Sequence, residues 1–155
     1  MINIIYLILF VLSDRFTKYL AVKYLMPISS VKVLDGIFNL TYVENTGIAF
    51  GMLKGMNYIV VPVSAIIVAV CIYYLVKAIK FNKKLLTFSL NLIISGAVGN
   101  IIDKLYYGFV VDFLEFGFFD FPVFNLADVF VCVGAVLLVI VILFSKDGDV
   151  FGFDK

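Results

Sequence analysis

The side chains able to do acid–base chemistry are few and unevenly placed. The chain of 155 residues has no histidine, which excludes Ser-His-Asp and Cys-His machinery and argues against a zinc or iron site. Carboxylates remain. Asn100-x-x-Asp103 and Asn125-x-x-Asp128 repeat one spacing, and Asp112 lies 16 residues before Asp128. Two carboxylates brought close cannot both ionise cheaply and so share a proton. One can then serve as base toward water and the other as acid toward a carbonyl or a leaving amine. Chemistry alone does not choose a pair, because Asp14, Asp103, Glu115 and Asp120 are candidates beside Asp112 and Asp128.

The elements that must position these groups are apolar. Hydrophobic residues make up 64% of the chain and charged ones 15%, with a mean hydropathy of +1.14, against about 45–50% and about 25% in soluble domains. That composition predicts an integral membrane protein. A net charge of +1, with no basic face, predicts no nucleic-acid partner. Cys71 and Cys132 sit in apolar runs and read as small hydrophobes, not a disulfide. Four segments are long enough to span about 30 Å of hydrocarbon: 2–25, 58–76, 85–107 and 126–144. The first lacks a positive n-region and a small-residue cleavage site, which predicts an uncleaved transmembrane helix.

Lys77, Lys80, Lys83 and Lys84 crowd the loop between the second and third spans. Cytoplasmic loops carry such an excess, so both termini are expected inside, and Lys146 agrees. The stretches 27–57 and 108–125 then face outward. In the first, an Asp35-Gly36 turn and the alternation of Phe38, Leu40 and Tyr42 with Asn39 and Thr41 predict a small β-rich cap. The expectation is an all-α four-transmembrane-helix bundle, one domain over 1–155, with an extracytoplasmic cap over 27–57 and an outer loop over 108–125.

Within this frame each polar residue has an ordinary reading beside the chemical one. Asp14 and Lys18, one turn apart, form an intrahelical ion pair, or else hold the floor of a polar cavity. Gly96 and Gly99 bare the third span for close approach of another element, with Asn100 and Asp103 on the same side. Asn125 reads as a helix N-cap with Asp128 in the first turn. That accounts for Asp128 alone but not for Asp112, and a short outer connection lets Asp112 and Asp128 meet. A small transporter or proton relay using Asp14, Asp103 and Asp128 is the alternative. Against it, there is no inverted repeat or pair of broken helices, and the aspartates gather at one edge.

At these residues the chain resembles the lipoprotein signal peptidase (signal peptidase II) family, through "DRFTK" at Asp14–Lys18, "ENTGIAFG" at Glu44–Gly51, "SGAVGNIIDKLYYGFVVDF" at Ser95–Phe113 and "FNLAD" at Phe124–Asp128. The resemblance implies a multi-pass aspartyl endopeptidase of the bacterial inner membrane with its active site near the outer leaflet. Its implied substrates are diacylglyceryl-modified prolipoproteins, with no metal, cofactor or obligate protein partner. By motif, the catalytic pair is Asp112 and Asp128. Asp14, Lys18, Asn45, Gly47, Gly99, Asn100, Asp103, Lys104, Asn125 and Ala127 match supporting positions. The chain departs from the family pattern where Lys104 stands for the usual Arg and Ser95 for the common Gly. A lysine is a point charge without the planar fork of arginine, so a bidentate contact is not expected at Lys104.

Overall fold

The structure, a computed structural model, describes residues 2–48 and 52–144. Residues 49–51 of the "ENTGIAFG" motif, Lys146 and the tail from 145 onward lie outside the described residues. In chain order the elements are α1 (Ile2–Leu20) running into a π-helical turn (Ala21–Leu25), β1 (Ser30–Leu34), β2 (Phe38–Asn45), α2 (Asn57–Lys80), α3 (Lys84–Tyr106), β3 (Val110–Phe116) and α4 (Leu126–Phe144).

Helices α2, α3 and α4 are each long and apolar enough to cross a membrane. Helix α1 has 19 residues, and Asp14, Arg15 and Lys18 set its composition apart from the other three. The four expected spans thus correspond to three helices of membrane-spanning composition and one charged helix. Helix α2 runs on past the expected end at 76 to Lys80. Lysines in a last turn face the negative end of the helix dipole and reach outward on long apolar stems, so they extend the helix instead of ending it.

Helix α3 is central, packed against α1, α2 and α4. Small residues set its distance from α4. A Cβ on Gly96 would strike the Ala127 carbonyl oxygen, and one on Gly134 would come within 2.9 Å of the Ser89 carbonyl oxygen. Ser89 Oγ instead donates to the Gly134 carbonyl at 2.8 Å, so the two backbones meet without a side chain between them. Away from this seam the surface is apolar: Ile66, Val76, Leu143 and Phe144 are all exposed. Water would penalise such a surface and hydrocarbon would not.

The helices leave the strands at one end. The turn from α2 to α3 (residues 81–83, with Asn82 at φ 55°) closes the other end, since β1 and β2 lie between α1 and α2, and β3 between α3 and α4. The expected hairpin is present: Ser30 pairs with Thr41 and Lys32 with Asn39 around Gly36 at φ +69°. The stretch expected to be an outer loop holds β3, which adds antiparallel to β2 in the order β1-β2-β3. "VVDFLEF" lacks strict alternation because the start of β3 is covered on both faces. Val111 and Phe113 pack against Ala21 and Leu25 of the π-helical turn.

Candidate active site

Three local features bring the polar residues together. The first is the start of α4. Asn125 Oδ1 accepts from the Asp128 N–H at 3.0 Å, and the Asn125 N–H donates to Asp128 Oδ2 at 3.1 Å. This reciprocal capping box is what the N-cap reading of the sequence predicts. The second is a clasp between β3 and the chain just before α4. Phe124 O accepts from Phe113 N and Leu114 N at 2.9 and 2.8 Å, and Phe124 N donates to Leu114 O at 3.0 Å. The third is Asp14 of α1, whose Oδ1 accepts from the Ala127 N–H at 3.0 Å and so caps α4 from across the bundle.

The clasp sets Asn125 beside Asp112. Asn125 Nδ2 donates to Asp112 Oδ1 at 2.6 Å and to Asn100 Oδ1 at 3.2 Å. Both amide hydrogens are then used, and the same residue holds Asp128 through its backbone N–H. Asn100 Nδ2 donates to the remaining Asp128 oxygen at 2.8 Å. Lys18, which can only donate, places its Nζ 2.8 Å from Asn100 Oδ1 and so fixes which way that amide faces. The other oxygen of Asp112 accepts from Asn45 Nδ2 at 2.9 Å. Asp112 is 1% exposed. Its carboxyl is pushed up to about 7, first by burial and then by the charge of Asp128; the amides of Asn45 and Asn125 and the charge of Lys18 oppose the rise.

Behind this pair lies a layer of ion pairs. Lys18 Nζ stands 2.9 Å from Asp103 Oδ2 and 3.0 Å from Asp14 Oδ2, the latter without hydrogen-bond alignment. With Asn100 Oδ1, these complete three neighbours for three N–H groups. Asp103 Oδ1 accepts from Arg15 and Asp103 Oδ2 also from the Val111 N–H at 3.3 Å. Both oxygens of Asp103 therefore serve cations or backbone. Gly99 is bare because a Cβ there would collide with the Asp14 carboxylate. Glu115, a candidate by type, lies on the sheet with its Oε2 held by Thr41 at 2.5 Å and Asn39 at 3.2 Å.

A cavity of about 520 Å³ opens over Asp112, walled by Asn45, Thr46, Lys54, Asp120 and Phe121 among others. Asp120, a candidate by type, is thus one of its lining residues. On the cap side Gly47 is buried. Its carbonyl accepts from Lys104 Nζ at 2.7 Å, and Asn57 Oδ1 lies farther from that ammonium, at 3.4 Å. The contact is one strong donation plus a long one, as a point charge without a planar fork makes it. Nearby, Glu44 accepts from the Tyr42 hydroxyl at 3.1 Å, and burial with that partner pushes the phenol up to about 12.

Two participants were not singled out by the sequence reading. Arg15, inside "DRFTK", pairs with Asp103, and Asn57 at the start of α2 bridges Lys104 and the Gly108 carbonyl. A polar residue at the mouth of an apolar span was the available signal for Asn57. Among the described residues no three His, Cys, Asp or Glu side chains are grouped to hold a metal ion.

Known proteins resemble this arrangement along almost the whole chain. The family model for signal peptidase (SPase) II matches residues 6–144. A lipoprotein signal peptidase of Caldanaerobacter subterraneus subsp. tengcongensis is 45% identical over 135 residues, covering 87% of this chain and 91% of that protein. One from Clostridium tetani is 40% identical over 149 residues, 94% of each. A bacterial membrane enzyme solved by the in meso method at 2.3 Å resolution superposes with a TM-score of 0.84 at 31% identity, covering 95% of this chain and 90% of that one. This chain belongs to the signal peptidase II family.

Proposed function

We propose that the chain is an intramembrane aspartyl endopeptidase that cuts signal peptides from diacylglyceryl-modified prolipoproteins, with Asp112 and Asp128 as its catalytic pair. The observation that carries this reading is Asn125, which reaches Asp112 with its side-chain amide and Asp128 with its backbone N–H at 2.6 and 3.1 Å. The two carboxylates are thereby held as one unit at the polar edge of an apolar chain, next to a cavity that opens over Asp112.

In the proposed reaction a water is held between the carboxylates. The ionised one takes a proton from the water as its oxygen bonds to the scissile carbonyl carbon, and the protonated one gives its proton to the carbonyl oxygen. The tetrahedral intermediate then collapses: the C–N bond breaks as the proton taken from water passes to the leaving amine of the lipidated cysteine, and the carboxylate that gave its proton takes one back from a hydroxyl of the intermediate, which restores the pair. The reaction as written uses no metal or cofactor. Donors held by neighbours, as Asn45 and Asn100 are, need no reorganisation when charge develops.

The remaining features of the reading follow from the charges. Helix α1 is the fourth span, its charges tolerated because Lys18 and Arg15 pair with Asp14 and Asp103 inside the bundle. The lysine-rich turn lies in the cytoplasm with both termini, the sheet lies at the outer leaflet, and substrate enters sideways from lipid. The test is cleavage of a diacylglyceryl lipopeptide by purified protein in detergent with chelator present. Asp112→Asn and Asp128→Asn should each lose at least about a thousandfold in rate, within the range that a general acid or base contributes. Near-normal cleavage by either variant removes that residue from the pair.

A further inference from the structure

Lys104 is a buried ammonium, 9% exposed, whose hydrogen bonds go to two carbonyl oxygens instead of a carboxylate. Its neighbour Asp103 pairs instead with Arg15 and Lys18 of α1. The stronger bond, 2.7 Å to Gly47 O, is charge-assisted, which makes such a bond about twice as strong as a neutral one. The Gly47 N–H donates to Asn45 Oδ1 at 3.0 Å. With that oxygen occupied by a donor, the Asn45 amide must turn its Nδ2 the other way, where it meets Asp112 Oδ2 at 2.9 Å.

We propose that Lys104 is a positioning residue for Asp112, acting through the Gly47 backbone and the Asn45 side chain. It holds Gly47, Gly47 orients Asn45, and Asn45 fixes the second oxygen of Asp112 while Asn125 fixes the first. The proposal rests on Asp112 belonging to the catalytic pair. It also gives the lysine a task that a single point charge performs, since one donor aimed at one carbonyl oxygen is enough. Without Lys104 the Gly47 carbonyl loses its cationic partner, and the Asn45 amide is free to rotate away from the carboxylate.

The test is a double-mutant cycle on the full chain in detergent, with lipopeptide cleavage measured for Lys104→Met, Asn45→Ala and the double variant. If the relay holds, each single change lowers kcat by about tenfold or more with little change in KM, and the double variant is within about twofold of Asn45→Ala alone. The acidic limb of the pH–rate profile should move to higher pH in both single variants, because a donor that favours the ionised carboxylate has been lost. Lys104→Arg, which keeps a cationic donor, should recover most of the lost rate. Losses that multiply in the double variant, or an acidic limb that stays in place in Lys104→Met, overturn the proposal. Should Lys104→Met not purify folded, Lys104→Gln takes its place in the same cycle. Asp112→Asn run alongside separates the two ideas. If it is inactive while the cycle is multiplicative, only the relay fails; if it is active, the catalytic pair fails.

Discussion

Asp112 should make the folded protein less stable above neutral pH, and Asp112→Asn should reveal by how much. The carboxyl is raised from an ordinary 3.8 to about 7, with burial the larger cause and Asp128 the second. Below about pH 4 the group is neutral whether the chain is folded or unfolded, so it costs nothing. As pH rises the unfolded chain ionises first, and the folded state falls behind until it too ionises near pH 7. At about 1.4 kcal/mol per pH unit the gap is worth about 4 kcal/mol, fully developed above pH 7. The replacement amide removes this dependence. It also turns an NH₂ toward either Asn45 or Asn125, both of which donate to Asp112, at a cost of about 1–3 kcal/mol that does not vary with pH.

The two effects have opposite signs and different pH dependence, so the stabilities should cross. Near pH 4 Asp112→Asn is the less stable protein; near pH 8 it is the more stable. For a chain of this size about 2–4 °C accompanies each kcal/mol, so the difference in melting temperature should change by about 8–16 °C across that range. Helix melting followed by circular dichroism in detergent at a series of pH values measures it. A difference that stays flat from pH 4 to 8 would refute the reasoning, since Asp112 would then carry no raised proton affinity in the fold.

Two further outcomes concern the layer behind the pair. Lys18→Met should cost about 3–5 kcal/mol by leaving Asp14 and Asp103 buried without their shared cation; in the same melts, adding Asp14→Asn should return part of the loss, because Asp14 Oδ2 has no aligned hydrogen-bond donor. Gly99→Ala should cost about 1–3 kcal/mol and slow cleavage, since its methyl group displaces the carboxylate that caps α4. Gly36→Ala, in open space at φ +69°, should cost about 1–2 kcal/mol from backbone strain alone and leave kcat in place.

Hydropathy and charge made the helices visible, because water penalises apolar runs of span length and lysines bracket one turn. The Asp35-Gly36 hairpin was equally visible from local turn chemistry. Strand β3 was not, since "VVDFLEF" gains its partner β2 only through long-range pairing and is covered on both faces. In the site, the spacing of Asn125 and Asp128 announced a cap, and the cap is present. The same side chain also reaches Asp112, which depends on the Leu114–Phe124 bridge, and no local pattern encodes that bridge. Arg15 carries no signal of its own for a related reason: its partner Asp103 lies on another helix, and a charge beside Asp14 and Lys18 reads as part of their pair.

The charges of the site bear on the proton that the proposed pair would share. Four aspartates, Asp14, Asp103, Asp112 and Asp128, the first three of them buried, gather with three cations, Arg15, Lys18 and Lys104. Fully ionised, the group carries one uncompensated negative charge at the polar end of an apolar bundle, where an isolated charge is costly. One proton removes it. Both oxygens of Asp103 accept from cations or backbone. Asp14 accepts the Ala127 N–H and stands against Lys18. Among the described residues, Asp112 and Asp128 are touched directly only by neutral amides and backbone N–H groups. Asp112 and Asp128 are thus, among the described residues, the pair without a cation against it, which is the setting that the proposed shared proton requires.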